Sequence, residues 1–254
     1  MTIKKNKIVI FTDLDGSILH RDTFKFDQIK DYIKKLINSG IHIIPNSSKT
    51  ESEIIEFNQD LGENLAYISE NGSVINNLNI LNSNFPNKII LSREKEELVE
   101  VFKNKVPENL QNKCKFISNL KKKDQINTFG LGETKLKNAL DRKYTEPFLF
   151  EGSKNEKKDL TKILKKNSLT IQEGGRVINL CNNVNKVKSM KKILKIYKKI
   201  ENNIEVIAVG ECAVVVQKYG VLLPFLNVLK VAVMHGLPDF HPGCLAPEGL
   251  ADAA

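Results

Sequence analysis

KIVIFTDLDGS, from Lys7 to Ser17, is the stretch on which the reading of this chain turns. Its first six residues are β-branched or aromatic apart from the leading lysine, apolar on both faces, and they run straight into a polar knot of Asp13, Leu14, Asp15 and Gly16. A run apolar on both faces reads as a buried parallel strand, because a half-exposed strand would alternate. Outward from it, Ile29, Ile33, Leu36 and Ile37 recur at helical spacing between Phe26 and Ser39, and Gly40 stands where a left-handed residue would close that helix. Ile41–Pro45 then reads as a second strand, Thr50–Leu61 as a second helix with an acid-rich first turn, and Leu65–Ser69 as a third strand. Right-handed crossovers put such strands parallel in one sheet, with the ligand site outside their carboxyl ends. Three polar clusters fall at those ends and are expected to meet: Asp13/Asp15, Ser47/Ser48/Lys49 and Glu70/Asn71/Gly72.

From about residue 79 to 180 the pattern breaks into shorter pieces. Helical stretches fall at Ser92–Lys105, Thr134–Arg142 and Asn155–Lys166, and apolar runs at Lys115–Ile117, Phe148–Phe150 and Val177–Leu180. This reads as an α+β module set into the first one. The first pattern then resumes with a helix over Lys186–Lys199, whose inward face is expected to carry Val187, Met190, Ile193, Leu194 and Tyr197, and with the strand Val206–Val209. The fold class expected is α/β, a Rossmann-like parallel-sheet core (residues 1–78 and 183–210) with an inserted α+β cap domain (79–182).

Two acids two residues apart on a loop can place one carboxylate at a reacting atom and the other beside it, as a nucleophile and its acid/base partner require. Two like charges held together also favour a divalent cation between them, and oxygen-only ligands suit Mg²⁺. Gly16 would let the turn approach a phosphate closely. The alternative is an Asx-turn capping the next helix. Ser47 can donate its hydroxyl to a phosphate oxygen and Lys186 can supply a fixed charge, or Ser47 can cap the helix from Thr50 and Lys186 can be one more surface lysine.

FTDLDGSIL with Asp13 and Asp15, Ser47 after the second strand, Lys186 after a large insert and Gly210 ending a later strand resemble the motifs of the haloacid dehalogenase superfamily, in its subclass with the large α+β cap. PNSSKTESEI (Pro45–Ile54), ISENGSVI (Ile68–Ile75), RKYTEPF (Arg142–Phe148), EGGRVINL (Glu173–Leu180) and NKVKSMK (Asn185–Lys191) narrow the resemblance to the mannosyl-3-phosphoglycerate phosphatases, over about residues 7–210. The resemblance implies a Mg²⁺-dependent hydrolase of a glycosyl-3-phosphoglycerate working through an aspartyl-phosphate. Asp13 would be nucleophile, Asp15 acid/base, and Ser47 and Lys186 would neutralise the phosphoryl oxygens. Gly16, Ser48, Glu70, Asn71, Arg142, Glu146 and Arg176 would bind substrate, the arginines suiting a carboxylate and Glu146 sugar hydroxyls. With only four arginines against 35 lysines in the chain, two at motif positions of the insert are notable.

The superfamily follows its last strand with Gly-Asp-x-x-Asn-Asp, whose acids bind metal. Here the text is Gly210-Glu211-Cys212-Ala213-Val214-Val215, which leaves Glu211 as the third candidate metal ligand beside Asp13 and Asp15. The composition changes at the same place. Residues 1–210 hold 37 of the 39 Lys and Arg, 26 of the 30 Asp and Glu and 26 of the 27 Asn, whereas residues 211–254 hold six of the nine Ala. A frameshift or gene-end fusion near codon 211 is therefore expected, with an atypical and poorly ordered tail. A catalytically impaired relative that only binds sugar phosphate, and a phosphatase for another sugar phosphate, are the alternatives.

The formal charge of +9 invites a nucleic-acid reading. The lysines are diffuse and lack interleaved aromatics, so solvated helix faces are expected and no nucleic-acid partner. Four scattered cysteines without a CxxC pair, no signal-peptide core and no apolar run near the ~20 residues of a membrane span lead to the expectation of a reduced, cytoplasmic protein with a small-molecule substrate and no membrane partner.

Overall fold

In chain order the elements are β1 (Lys7–Thr12), α1 (Asp27–Asn38), β2 (His42–Pro45), α2 (Glu51–Leu61), β3 (Tyr67–Ser69), β4 (Val74–Asn76) and β5 (Lys88–Ile90). There follow α3 (Lys95–Lys105), α4 (Glu108–Gln111), β6 (Cys114–Phe116), α5 (Lys122–Phe129), α6 (Glu133–Leu140), β7 (Thr145–Phe150) and α7 (Lys154–Lys166). The chain continues through β8 (Leu169–Glu173), β9 (Ile178–Asn182), α8 (Lys186–Tyr197), β10 (Ile204–Gly210) and β11 (Ala213–Lys218). This computed structural model describes residues 7–20, 23–201 and 203–210, and the backbone of 213–218. Its contacts divide into two units, 1–43 with 201–254, and 44–200.

In the first unit β1 is buried from Val9 onward and pairs in parallel with β10, from Lys7 opposite Ile204 to Thr12 opposite Val209. Such pairing buries both faces, which the unbroken apolar run of β1 satisfies. The sheet order is β11-β10-β1-β2, and β11 runs antiparallel to β10 with Gly210 opposite Ala213. Helix α1 closes where Gly40 was expected to close it. Gly40 has φ +82°, its N–H reaches the Ile37 carbonyl (2.8 Å), and the Ile41 N–H reaches the Leu36 carbonyl (3.2 Å), the paired bonds of a Schellman ending.

In the second unit α2 starts from a capping box. Thr50 Oγ1 accepts the Glu53 N–H (3.1 Å) and Glu53 Oε2 accepts the Thr50 N–H (2.9 Å), satisfying two of the donors a helix start leaves open. The third strand differs from expectation. β3 forms an antiparallel sheet β3-β4-β5, with Ile68 opposite Ile75, and meets the end of β2 through one parallel bridge, Asn46 with Ile68. A run of twelve buried residues, 65–76, explains the misreading: burial on every side is common to a central parallel strand and to a short hairpin lying inside a unit.

The insert is built on an antiparallel sheet ordered β6-β7-β9-β8. Alternation along β7 decides how it is covered. Phe148 and Phe150 enter a cluster with Leu98 and Phe102 of α3 and Leu160 and Leu164 of α7, while Leu149 packs with Phe129 of α5, Leu136 of α6 and Val177. Phe116 stands edge-on between Phe102 and Phe148, at 5.1 and 5.9 Å. Helix α8 corrects a further expectation. Ile193, Leu194 and Tyr197 are buried, but Val187 is 55% exposed and Ser189 is fully buried in its stead. Among the described residues no helix is long and apolar enough to cross a membrane.

Candidate active site

The first unit carries the aspartates. The Asp13 N–H donates to the Val209 carbonyl (2.9 Å), so the chain is still held to β10 one residue beyond β1. Asp13 Oδ1 accepts the Leu14 N–H (2.8 Å), and the N–H groups of Ser17, Ile18 and Leu19 converge on the Leu14 carbonyl at 2.8–3.2 Å. Leu14 itself is fully buried, which pins the turn, and Gly16 turns the corner at φ +73°. Asp13 and Asp15 are half-buried. Neither caps the following helix, because α1 begins at Asp27 behind Phe26 with no side-chain cap. The turn thus presents two carboxylates at the carboxyl end of a parallel strand, where an α/β sheet places its chemistry.

The second unit brings two of the three expected clusters together. The Asn71 N–H donates to the Ser47 carbonyl (3.0 Å) and the Glu70 N–H to the Lys49 carbonyl (2.8 Å). Ser47 is fully buried and its hydroxyl accepts the Lys49 N–H (3.2 Å); Thr50 and not Ser47 is the helix cap, so that alternative falls away. Glu70, Asn71 and Gly72 all have positive φ, at 47°, 61° and 95°. Two of these are side-chain-bearing residues, and such conformations persist only when surroundings enforce them. Here the enforcement is a set of bonds: Glu70 Oε1 accepts the Lys143 N–H (3.0 Å), and Oε2 accepts the Tyr144 N–H (3.0 Å) and the Thr145 hydroxyl (2.7 Å).

Arg142 extends the same network. It is 9% exposed; its Nε donates to the Ala139 carbonyl (3.1 Å), and its Nη1 faces the Ser48 carbonyl (3.2 Å), Thr145 Oγ1 (3.0 Å) and Asn179 Oδ1 (3.4 Å). Glu146, 3% exposed, is hydrogen-bonded by Ser118 through backbone and side chain; burial raises its pKa above the ordinary 4.5, against the opposing pull of Ser118, Lys95 and Arg142. Arg176 is exposed at the turn between β8 and β9, where its Nη1 donates to the Phe129 carbonyl, and it stands outside the cavity that Glu146 and Arg142 line. Lys186 opens α8 behind the Asn185 cap, with its carbonyl accepting Asn46 Nδ2 (3.4 Å). Buried Cys114 and Cys181 are unpaired thiols, each pushed up to about 12 by burial. Glu211, Cys212 and Cys244 lie outside the described residues.

Sequence reasoning missed Thr145, Asn179, Ser189 and Asn46. All four sit inside motifs quoted for other residues, and that was their available signal.

Residues 10–212 match the family described as haloacid dehalogenase-like hydrolase. A glucosyl-3-phosphoglycerate/mannosyl-3-phosphoglycerate phosphatase of Persephonella marina is 28% identical over 184 residues, 68% of this chain and just under two thirds (66%) of that relative. A protein of the same name from Methanococcoides burtonii is 25% identical over 261 residues, covering 95% of this chain and 90% of its own. Among solved structures, a sugar phosphatase of HAD subclass IIB superposes with a TM-score of 0.52 at 13% identity, covering 80% of this chain and 87% of that one, a likeness of fold.

Proposed function

This chain belongs to the haloacid dehalogenase-like hydrolases, and on that footing we propose that it is a phosphomonoesterase acting on a glycosyl-3-phosphoglycerate. The observation that carries the reading is the pair Asp13 and Asp15 on a pinned turn at the carboxyl end of β1. Asp13 attacks phosphorus, the bond to the ester oxygen breaks, and the leaving alkoxide takes its proton from Asp15. Water, giving a proton to the Asp15 carboxylate, then attacks the aspartyl-phosphate, releasing inorganic phosphate and restoring Asp13. Ser47 and Lys186 are assigned to the phosphoryl oxygens, with Gly16 in the same role through its backbone. Glu70, Asn71, Ser48 and Arg142 shape the substrate mouth, and Glu146 and Arg176 belong to the specificity side carried by the insert.

Among the described residues no three His, Cys, Asp or Glu side chains gather as a metal group. Two carboxylates from one turn nevertheless suit Mg²⁺, which is commonly held by one or two carboxylates with waters and substrate phosphate completing its shell. Asp13 and Asp15 would hold it, with Glu211 as the sequence's third candidate, and it would supply charge compensation at the phosphoryl group. Phosphate release from mannosyl-3-phosphoglycerate and glucosyl-3-phosphoglycerate, with and without EDTA, tests the reading. Wild type is expected to release phosphate, and Asp13→Asn to lose at least ~10³-fold, the scale on which loss of a nucleophile acts. The substitution of two valines for the Asn-Asp pair favours a second reading, a binding protein of impaired activity. Equal inactivity of wild type and Asp13→Asn, with a substrate-induced rise in melting temperature, would select it.

A further inference from the structure

Within the second unit, three segments distant in sequence are joined in a closed ring of hydrogen bonds at the start of α8. The Ser47 carbonyl accepts the Asn71 N–H (3.0 Å), and the carbonyl of the adjoining Gly72 accepts the Ser189 hydroxyl (2.6 Å). Ser189 lies in the first turn of α8 with Lys186, and the Lys186 carbonyl accepts Asn46 Nδ2 (3.4 Å), which returns the ring to Ser47 across one peptide bond. The two bonds that reach α8 bridge 117 and 140 positions of sequence. The ring therefore passes through the backbone of both residues assigned to the phosphoryl oxygens, Ser47 and Lys186.

Packing alone does not account for the side chains that close it. Ser189 is fully buried in a helix, where alanine is the better former and a serine hydroxyl competes for backbone carbonyls. Its hydroxyl stands 2.6 Å from the Gly72 carbonyl against 3.3 Å from the Asn185 carbonyl of its own helix, so the closer bond leaves the helix. Asn46 is 4% exposed, and its Oδ1 has no hydrogen-bond partner among the described residues. An open buried oxygen costs free energy that an aliphatic side chain of like volume would avoid. The contact itself explains why polar groups are used. A Cβ at Gly72 would stand 2.4 Å from the Asn185 carbonyl oxygen, so the two backbones touch and no interdigitating side chains can set their register. Hydrogen bonds set it, and the positive φ of Glu70, Asn71 and Gly72 gives them a turn held in one conformation to act against.

We propose that Ser189 and Asn46 are positioning residues for Lys186: they fasten the first turn of α8 to the 70–72 turn and to the end of β2, so that the lysine extends from a backbone held in register with Ser47. The proposal rests on the phosphatase reading above and deepens it. A fixed charge stabilises a phosphoryl group in transfer best when nothing has to move to bring it there, and a displacement of about 1 Å can cost about 10²-fold in rate. Asn46 holds α8 from the Ser47 side and Ser189 holds it from the Gly72 side, so loss of one fastener leaves the helix start free to pivot about the other.

The test is a double-mutant cycle on the full chain, read by binding of inorganic phosphate, the product common to phosphomonoesterases, in a ³¹P NMR titration with Mg²⁺ present. Ser189→Ala and Asn46→Leu are each expected to weaken phosphate binding at least fivefold. In a Lys186→Met background each is expected to change it by less than twofold, because the group they position is gone. Gly40→Ala, a destabilising change outside the ring, is expected to stay within twofold of wild type and so separates positioning from loss of stability. Two fasteners are varied so that failure of one variant to fold leaves the other to decide. Binding that Ser189→Ala and Asn46→Leu leave within twofold, or losses as large without Lys186 as with it, overturns the proposal. Phosphate release from mannosyl-3-phosphoglycerate is measured on the same preparations. Release with uncoupled losses leaves the phosphatase reading standing and removes the positioning role. Coupled losses of phosphate binding without release do the opposite, and a wild type that neither binds nor releases phosphate overturns both.

Discussion

Glu146 is the residue at which burial and chemistry conflict most openly. Its carboxyl is held by Ser118 on one side and left open on the other, and desolvation raises its pKa above the ordinary 4.5. A raised carboxyl pKa favours the fold at pH values below the ordinary one and costs stability as pH climbs through the raised value, where the buried group must ionise. Lys95 and Arg142, the charged groups facing it, offset that cost in part. Glu146→Gln is therefore expected to raise the melting temperature at pH 8 relative to wild type and to lose that advantage near pH 4, as followed by circular dichroism across a pH series. A constant difference across the range would mean that ionisation of this residue plays no part. Glu70 shows the opposite solution for a buried carboxylate. Two N–H groups and a hydroxyl from residues 143–145 satisfy it, and no part of it is left over.

At the scale of elements, the docking of α8 on the 70–72 turn is decided by a glycine. The Gly72 carbonyl accepts the Ser189 hydroxyl (2.6 Å), and a Cβ at Gly72 would overlap the Asn185 carbonyl and stand 2.8 Å from Ser189 Oγ. This contact turns Ser189 inward and Val187 out, which is why hydrophobic periodicity alone misplaced one residue of the helix face. Gly40 offers the control, since its φ is also positive and nothing lies within 4 Å of its would-be Cβ. Gly40→Ala is expected to cost only the ~1–2 kcal/mol of a left-handed alanine. Gly72→Ala should cost that and a further ~1–3 kcal/mol of overpacking, measured by urea denaturation. Equal costs at the two sites would show that α8 yields freely at this contact. Because Lys186 opens the same helix and its carbonyl is held by Asn46, any shift of α8 also moves the backbone of a proposed catalytic residue.

For the whole molecule, the +9 of the chain divides into an excess of eleven positive charges over residues 1–210 and of two negative charges over 211–254. The family match ends at residue 212, beside that step, whereas the alignment to the Methanococcoides relative covers 95% of the chain. Ala213–Lys218 still completes the sheet edge against β10, which demands little of a sequence: three consecutive valines form a strand in many contexts. Independent sequencing through codon 211 is expected to reveal a shifted frame whose continuation restores acids at the metal motif; a clean, continuous frame in independent reads refutes this. If the present frame stands, Glu211→Asp should lower the Mg²⁺ concentration needed for half-maximal phosphate release, since the shorter carboxylate is the one the motif calls for. The α/β class, the aspartate turn and most helices of the insert were legible in the sequence, because periodicity and a buried run ending in acids report local burial directly. The pairing of β3 with β4, the bonds of Glu70 to residues 73 to 75 positions away, and the cavity assembled from Lys95, Ser118, Gln125 and Glu146 were not. A polar side chain carries no mark of the distant partner it will meet, so those pairings are decided only when packing brings the segments together and leaves each buried group either satisfied or open.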